Sequence, residues 1–177
     1  MQQNEIPKSR FGKADLLVTR VGLGGEGVLR THGRQKEADA VIRAAIQQGI
    51  TYYDCARVYA DSERYYGAVW GNDPAARKRV FQASKSASRD GRGARQDLEE
   101  TLDRLKTGYL DLWQIHDVRT VVDFQAIAAP GGALEAFLSA KSEGLVRYIG
   151  VTGHHDPGIL TRAVKAWPVD AVMMPVN

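Results

Sequence analysis

The sequence has little that would support a disulfide-held, membrane-embedded or nucleic-acid-binding protein. Its 177 residues include one cysteine, Cys55, so no internal disulfide is available and a reducing, cytoplasmic location is expected. The polar N-terminus lacks the apolar core of a signal peptide, and no stretch approaches the roughly 18 apolar residues of a membrane-spanning helix. The formal net charge is +3, and the densest basic run, residues 77–79, is short and is expected to be a solvated face before a strand. We therefore expect neither a membrane nor a nucleic-acid partner.

What the sequence does contain is a regular alternation of strand and helix patterns. A hydrophobic content of 44% and a charged content of 25% are typical of a globular domain with a real core. Short apolar runs predict strands at residues 21–24, 50–54, 80–84, 110–115, 146–151 and 169–174. Apolar residues at helical spacing, with glycines or prolines at the ends, predict helices at residues 36–48, 62–70, 94–106, 133–142 and 157–165.

Strands that alternate with helices at a spacing of about 30 residues indicate βαβ units and a parallel sheet. Residues 10–19 precede the first of these strands and predict a hairpin around a Gly-Lys-Ala-Asp turn, whereas residues 118–132 read as a long loop. The glycine spacing of the dinucleotide-binding motif Gly-x-Gly-x-x-Gly occurs at Gly22, Gly24 and Gly27. A loop follows these glycines, however, where the motif requires a helix. A doubly wound sheet is therefore disfavoured.

The remaining fold is a barrel. We predict that residues 1–177 form a single α/β domain of the (β/α)8 TIM-barrel type, with an N-terminal β-hairpin and about six of the eight βα units. Because eight units take about 250 residues, we expect the C-terminal third of the barrel to be missing from this sequence.

Polar residues follow the predicted strands, where the active sites of such barrels lie. Asp54 ends the second strand and Tyr59 lies in the next loop; Lys85 follows the third strand and His116 the fourth. Each has a structural interpretation of its own, since Asp54 could cap a turn, Lys85 could be a solvated charge and His116 could be a hydrogen-bonded core residue. Their repeated placement at strand ends favours an active site.

These residues and the strings around them resemble the aldo-keto reductase family. The motif Asp-x-Ala-x-x-Tyr occurs at Asp54, Ala56 and Tyr59, and the family's strand-end lysine and histidine match Lys85 and His116, the latter in YLDLWQIHDV. The strings ETLDRLKTGYLDL and GLVRYIGVTG are also similar to the family, and the resemblance covers about residues 10–177. It implies an oxidoreductase that transfers a hydride between NADP(H), with NAD as the alternative, and a small aldehyde or ketone or the corresponding alcohol.

The resemblance also implies a role for each of four catalytic residues. Tyr59 would be the general acid and base; because a free tyrosine has a pKa near 10, a neighbouring Lys85 ammonium is expected to lower the pKa toward neutrality. Asp54 would keep Lys85 charged and oriented. His116 would donate a hydrogen bond to the substrate carbonyl oxygen.

The family's cofactor contacts map less closely. The pair that holds the nicotinamide carboxamide, often Ser-Asn, is Thr152-Gly153 here, with His154 as a replacement donor, and Met173 stands where a glutamine is common. The glycines after the first strand either let the cofactor approach the backbone or only form the turn. The expected cofactor-binding residues are Gly24, Gly25, Asp54, Thr152, Gly153 and His154.

Other interpretations remain open from the sequence. Arg89, Arg92 and Arg95 could meet a phosphate or form a solvated face. A metal-dependent hydrolase barrel could use His116 and residues 154–156, but no His-x-His motif occurs, so no metal site is expected. A truncated, non-catalytic or regulatory barrel is the other alternative. Neither the substrate nor the oligomeric state is readable from the sequence.

Overall fold

A six-stranded parallel sheet organises residues 5–12, 14 and 16–176, which are the residues that the computed structural model describes. Its strands follow one another in chain order, β3 to β8, and an antiparallel hairpin of β1 and β2 precedes them. The strands are β1 Lys8–Arg10, β2 Leu17–Thr19, β3 Gly22–Leu23, β4 Tyr52–Asp54, β5 Phe81–Ser86, β6 Leu110–Ile115, β7 Val146–Thr152 and β8 Ala171–Met173.

Helices connect the strands of the sheet and cover its outer face. They are α1 Gln35–Gln47, α2 Ser62–Asn72, α3 Pro74–Arg79, α4 Gly91–Arg104, α5 Val121–Ala128, α6 Ala133–Ser142 and α7 Pro157–Ala166, with a 3-10 helix at Gly27–Arg30. The α/β alternation and parallel pairing predicted from the sequence are confirmed. Each parallel connection carries at least one helix, as a βαβ crossover requires.

The core lies between the sheet and its helices. Every residue of β6 is buried, including the polar Asp111 and Gln114, because both faces of the strand are covered and no alternation of buried and exposed positions is needed. The Trp113 ring on β6 stacks on Phe137 of α6 with 3.5 Å between the ring centroids. Burying an aromatic side chain of this kind stabilises the fold by roughly 1.5–3 kcal/mol.

The N-terminal hairpin packs against the inside of the curved sheet. Phe11, which follows β1, lies 4.7 Å from Phe81 and 5.5 Å from Tyr148 between ring centroids. Two residues of the turn predicted for this hairpin, Lys13 and Asp15, lie outside the described residues. The hairpin therefore covers one end of the strands, as the sequence predicts for this segment.

One predicted loop and one predicted surface segment differ from the structure. Residues 118–132 were expected to be a loop, but they contain α5, which begins with a capping box between Thr120 and Asp123. The basic run at residues 77–79 was expected to be solvated. It belongs to α3, where Lys78 and Arg79 are exposed as expected, but Arg77 is buried and its guanidinium donates to the Asp111 carboxylate at 2.9 Å. Both errors arise from capping and ion pairing, which hydrophobic periodicity does not register.

Candidate active site

The predicted catalytic residues lie together at the C-terminal end of the sheet. Asp54 is the last residue of β4, Lys85 is on β5 and His116 directly follows β6. The parallel register places Lys85 opposite Gln114 of β6, so these side chains share one edge of the sheet. Tyr59 is held in the loop before α2 by hydrogen bonds from its N–H to the Ala56 carbonyl, at 3.0 Å, and from a following backbone N–H to its own carbonyl, at 2.8 Å.

A buried ion pair forms the floor of the site. The Lys85 ammonium donates to the Asp54 carboxylate and, at 2.7 Å, to the Cys55 carbonyl oxygen. The other Asp54 oxygen accepts a hydrogen bond from the Gln114 amide at 3.2 Å. Burial raises the pKa of Asp54, while Lys85 and Gln114 oppose that rise by stabilising the charged form. Since Lys85 is only 2% exposed, its ammonium depends on the Asp54 carboxylate and the Cys55 carbonyl.

The Tyr59 phenol lies above this ion pair. The Lys85 ammonium is 4.9 Å from the centroid of the Tyr59 ring, and the His116 ring meets it edge-on with 5.5 Å between centroids. The structure therefore brings all four predicted catalytic residues together. Burial raises the pKa of Tyr59, and the Lys85 charge opposes this rise without overcoming it. The expectation that Lys85 brings this pKa below that of free tyrosine is wrong for the isolated chain, because desolvation has the larger effect.

His116 is electrically neutral at physiological pH. Burial, followed by the nearby positive charge of Lys85, lowers the pKa of His116 to about 4. A neutral imidazole retains one N–H donor and one acceptor nitrogen, so His116 is able to donate a hydrogen bond without carrying a charge. It lies at the edge of the cavity that Tyr59 also lines.

Arg89 holds the backbone beside His116. Its guanidinium donates to the His116 and Asp117 carbonyl oxygens, each at 2.8 Å, and to the Asp123 carboxylate at 3.1 Å. The Asp117 backbone has a φ of 54°, an uncommon conformation for a residue other than glycine, and its N–H donates to the Thr152 hydroxyl at 2.8 Å. This positioning contact could not be predicted from the sequence, because it depends on two carbonyl groups and one carboxylate that are distant from Arg89 along the chain.

The three arginines considered for phosphate binding therefore differ in their surroundings. Arg89 is engaged as described, and Arg95 donates to the Glu143 carboxylate at 2.7 Å and to Glu99 at 3.1 Å. Arg92 is exposed at the start of α4. The solvated or ion-paired interpretation fits Arg92 and Arg95, whereas Arg89 fits neither original interpretation.

Two of the predicted cofactor glycines are required by packing. A Cβ at Gly25 would lie 2.6 Å from the Ser62 hydroxyl and 3.1 Å from the Asp54 carbonyl oxygen. A Cβ at Gly153 would lie 3.0 Å from the Val118 carbonyl oxygen. By contrast, a Cβ at Gly24 would meet nothing within 4 Å, so only Gly24 leaves open space beside the turn. For Gly25 the structural interpretation is the supported one.

The remaining predicted cofactor residues divide between two cavities. Tyr59, His116 and the exposed His154 line a cavity of about 740 Å³ outside the strand ends. Gly24 and Asp54 line a second cavity of about 670 Å³ on the inner face of the sheet. Thr152 is buried, with its hydroxyl accepting from the Asp117 N–H. Tyr59 and His116 thus border the first cavity, and Asp54 borders the second.

The first cavity also contains an unsatisfied acceptor. The Asp117 Oδ1 atom is buried and has no hydrogen-bond partner among the described residues. His155 lies 3.8 Å from it, beyond hydrogen-bonding distance. A carboxamide N–H is the type of donor that this oxygen lacks, so the donor and acceptor set of the cavity fits the nicotinamide end of a cofactor.

Metal ligands and membrane spans were also sought. Across residues 5–12, 14 and 16–176, no group of three or more His, Cys, Asp or Glu side chains is arranged to hold a metal ion. In that same part of the chain, no helix combines the length and the apolarity required to traverse a lipid bilayer.

Comparison with known sequences gives a consistent set of matches. Residues 20–177 match the model of the aldo/keto reductase family. The chain is 28% identical to the uncharacterized oxidoreductase YqkF of Bacillus subtilis, over 94% of this chain and 55% of that protein. It is 30% identical to the aldo-keto reductase YhdN of the same organism, over 90% of this chain and 50% of that protein. The chain thus spans about half the length of the curated relatives it matches.

Solved structures agree with these matches at the level of the fold. The aldo-keto reductase AKR11C1 from Bacillus halodurans, in its holo form, superimposes with a TM-score of 0.81 at 24% identity. The superposition covers 97% of this chain and 58% of the other. At this identity the likeness establishes the arrangement of strands and helices.

Proposed function

The chain belongs to the aldo-keto reductase family, and on that premise we propose that it transfers a hydride between NADP(H) and an aldehyde or ketone, or the corresponding alcohol. The family resemblance and the barrel-type fold predicted from the sequence are confirmed. The activity is proposed for the whole protein, since this chain spans about half of its curated relatives. The observation that carries the proposal is the buried Asp54–Lys85 pair beneath the Tyr59 phenol, with His116 at the ring edge.

Tyr59 is the proposed proton donor in carbonyl reduction. When bound, the nicotinamide cofactor supplies the hydride, which adds to the carbonyl carbon and leaves negative charge on the oxygen. The Tyr59 O–H bond then breaks and the alcohol O–H bond forms, with the electron pair remaining on the phenolate. The Lys85 ammonium, 4.9 Å from the ring centroid, stabilises that phenolate until a proton from solvent restores the phenol. Alcohol oxidation uses the same transfer in reverse.

The proposed role of Asp54 is to keep Lys85 charged and in place. A buried ammonium is poorly solvated and needs partners that compensate its charge. The Asp54 carboxylate and the Cys55 carbonyl are these partners, and they limit the directions in which the Lys85 side chain can turn. The raised pKa of Tyr59 keeps the phenol protonated at neutral pH, as a proton donor must be.

His116 is proposed to orient the substrate. A neutral imidazole N–H donates to the carbonyl oxygen and stabilises the charge that develops there. The lowered pKa of His116, about 4, means that this donor does not become an imidazolium over the neutral pH range. Arg89 supports this role because it binds the carbonyl of His116 and that of the next residue.

The residues proposed to hold the cofactor lie on either side of this site. His154 and Asp117 line the first cavity, and the buried Asp117 oxygen without a partner is an acceptor of the kind that a carboxamide N–H would satisfy. Gly24 leaves space next to Asp54 in the second cavity. Thr152, Gly153 and Gly25 would act by shaping the backbone around these groups. The choice of NADP over NAD, and a cytoplasmic location, follow from the family resemblance and remain predictions.

The proposal is tested by cofactor binding and turnover in matched variants. NADPH and NADH are titrated separately into the chain while nicotinamide fluorescence is followed, and reduction of a simple aldehyde is then measured. We expect saturable binding, and we expect Tyr59→Phe to bind cofactor like the parent while losing turnover by about 10²–10⁴-fold, the usual contribution of a general acid.

Tyr148→Phe is the matched control, because Tyr148 packs with Phe81 and Phe11 and lies away from the catalytic group. It should retain both binding and turnover. Parent-like turnover in Tyr59→Phe would contradict the proposal, as would the absence of saturable binding of either cofactor both to this chain and to a version extended to the length of its relatives.

A further inference from the structure

A second ion pair lies beside the Tyr59 ring and has no role in the reaction described above. Arg30 and Glu26 belong to the segment that follows β3, and the Arg30 guanidinium donates to the Glu26 carboxylate at 2.8 Å. Both residues line the cavity that Tyr59 and His116 line. The Arg30–Glu26 pair therefore lies at the open side of the site and is exposed, whereas the Asp54–Lys85 pair is buried.

Arg30 is in direct contact with the phenol. Its guanidinium carbon is 4.6 Å from the centroid of the Tyr59 ring, a slightly shorter distance than the 4.9 Å of the Lys85 ammonium. This distance is within the range of a cation–π interaction, in which the ring face attracts the positive charge. Tyr59 thus has two cations at similar distances, one buried and one that is 48% exposed.

The position of Arg30 is set by the fold. The preceding residue, Leu29, is buried in the main core. The following residue, Thr31, accepts hydrogen bonds at its carbonyl oxygen from the Tyr65 hydroxyl at 2.9 Å and from the Asp61 N–H at 3.2 Å. Because both neighbours are anchored, the Arg30 backbone is held next to the Tyr59 loop and only its side chain is free to adjust.

We propose that Arg30 is a positioning residue for Tyr59, and that the Arg30–Glu26 pair sets how readily the phenol releases its proton. The inference rests on the proposed role of Tyr59 as proton donor. Arg30 contributes a positive charge that favours the phenolate, and Glu26 contributes a negative charge that opposes it. The ion pair also fixes where the guanidinium lies over the ring.

The charges that face Tyr59 come from every element around it. Lys85 on β5 and Arg30 favour the phenolate, whereas Asp54 on β4 and Glu26 disfavour it; His116, after β6, is neutral at physiological pH. The effects of Arg30 and Glu26 on the pKa of Tyr59 have opposite signs and follow burial, Lys85 and Asp54 in size. Substituting Arg30 and substituting Glu26 should therefore shift the pKa of the Tyr59 phenol in opposite directions.

The test is a titration of the Tyr59 phenol itself, which does not require turnover. The chain is labelled with tyrosine carrying carbon-13 at the Cζ atom, and the Tyr59 resonance is identified by its loss in Tyr59→Phe. We expect the titration midpoint to move to higher pH in Arg30→Gln and to lower pH in Glu26→Gln. Arg30→Lys, which keeps the charge, should lie between the parent and Arg30→Gln.

A matched control comes from a neighbouring ion pair. Arg34 donates to Glu37 at 2.8 Å on the same side of the barrel, and Arg34→Gln should leave the Tyr59 midpoint at the parent value. Far-UV circular dichroism confirms that each variant is folded, and Glu26→Gln carries the test if Arg30→Gln does not fold. Shifts in the same direction for Arg30→Gln and Glu26→Gln, or no shift in either, would overturn the inference.

The proposed function and this inference fail in distinguishable ways. Opposite midpoint shifts without cofactor binding or turnover would support the electrostatic role of the pair and contradict the reductase proposal. Turnover that disappears in Tyr59→Phe, together with unmoved midpoints in the two pair variants, would support the reductase and contradict the inference. If both hold, the alkaline limb of the pH–rate profile for carbonyl reduction, where the proton donor is lost, should move with the phenol midpoint in each variant.

Discussion

Each end of the sheet has its own buried ion pair, but the two pairs have different surroundings. Near the start of β6, the Asp111 carboxylate accepts from the Arg77 and Arg147 guanidinium groups, each at 2.9 Å, and from the Gln82 N–H at 3.0 Å. At the strand ends, Lys85 and Asp54 form the second pair. Both pairs are buried, so burial and charge pairing alone do not distinguish a catalytic site from a structural one.

The Asp54–Lys85 pair differs from the Arg77–Asp111 pair in its neighbours. Both Asp111 oxygens accept hydrogen bonds from the donors that surround them. Lys85, by contrast, lies below a partly exposed phenol at the edge of a cavity of about 740 Å³. A buried ion pair contributes to catalysis when one of its charges interacts with a group that contacts the substrate. It contributes only to the stability of the fold when both charges are fully satisfied by groups that do not contact the substrate.

Substitution of the Arg77–Asp111 pair should lower the stability of the fold. Asp111→Ala leaves the buried Arg77 guanidinium without its carboxylate, and breaking a buried pair of this kind typically costs about 3–5 kcal/mol of unfolding free energy. Urea denaturation measures this loss, and cofactor binding by the folded fraction should stay at the parent value. Arg147→Ala is the control: that side chain is mostly exposed, so its removal should cost about 0–1 kcal/mol. Equal losses in the two variants would contradict the account.

At the C-terminal ends of the strands, His116 should make the stability of the fold depend on pH. Its pKa is about 4 in the folded chain against 6.5 as the ordinary value. Between these values the unfolded chain binds a proton that the folded chain does not, so the unfolding free energy falls as pH is lowered from 6.5 to 4. The difference amounts to about 3 kcal/mol at most.

This pH effect is isolated by a difference measurement. Unfolding free energies of the parent and of His116→Gln are compared at several pH values. The remaining titratable groups contribute equally to both proteins, so their effect cancels in the difference. The parent should lose stability relative to His116→Gln across this window, and His32→Gln, which alters an exposed side chain, should follow the parent. Parallel curves for the parent and His116→Gln would show that the imidazole is not held in its neutral form.

Much of this architecture is predictable from the sequence. The apolar run of β6 and the helix pattern of α6 predict both elements with the bounds that the structure has. The four strand-end residues are predictable because parallel strands bring their C-terminal ends to one edge. In each case a single repeating pattern carries the information.

The features that could not be predicted depend on contacts between distant segments. α5 was not predicted because its capping box, and not an extended amphipathic pattern, defines its start. The Arg89 contacts and the Arg30–Tyr59 contact join residues 27 to 29 positions apart. The sign of the Tyr59 pKa shift depends on how much burial outweighs the Lys85 charge, and neither quantity is present in the residue pattern.

Replacing Lys85 with methionine shows whether the Lys85 charge acts on the Tyr59 phenol. In Lys85→Met, Asp54 is expected to keep the Gln114 hydrogen bond, and far-UV circular dichroism and urea denaturation establish how much of the chain remains folded. We expect the Tyr59 midpoint to move to higher pH and turnover by the folded fraction to fall by about 10²–10⁴-fold. An unchanged midpoint with parent-like turnover would contradict this expectation, since the buried pair would then serve only to stabilise the sheet, as Arg77 and Asp111 do.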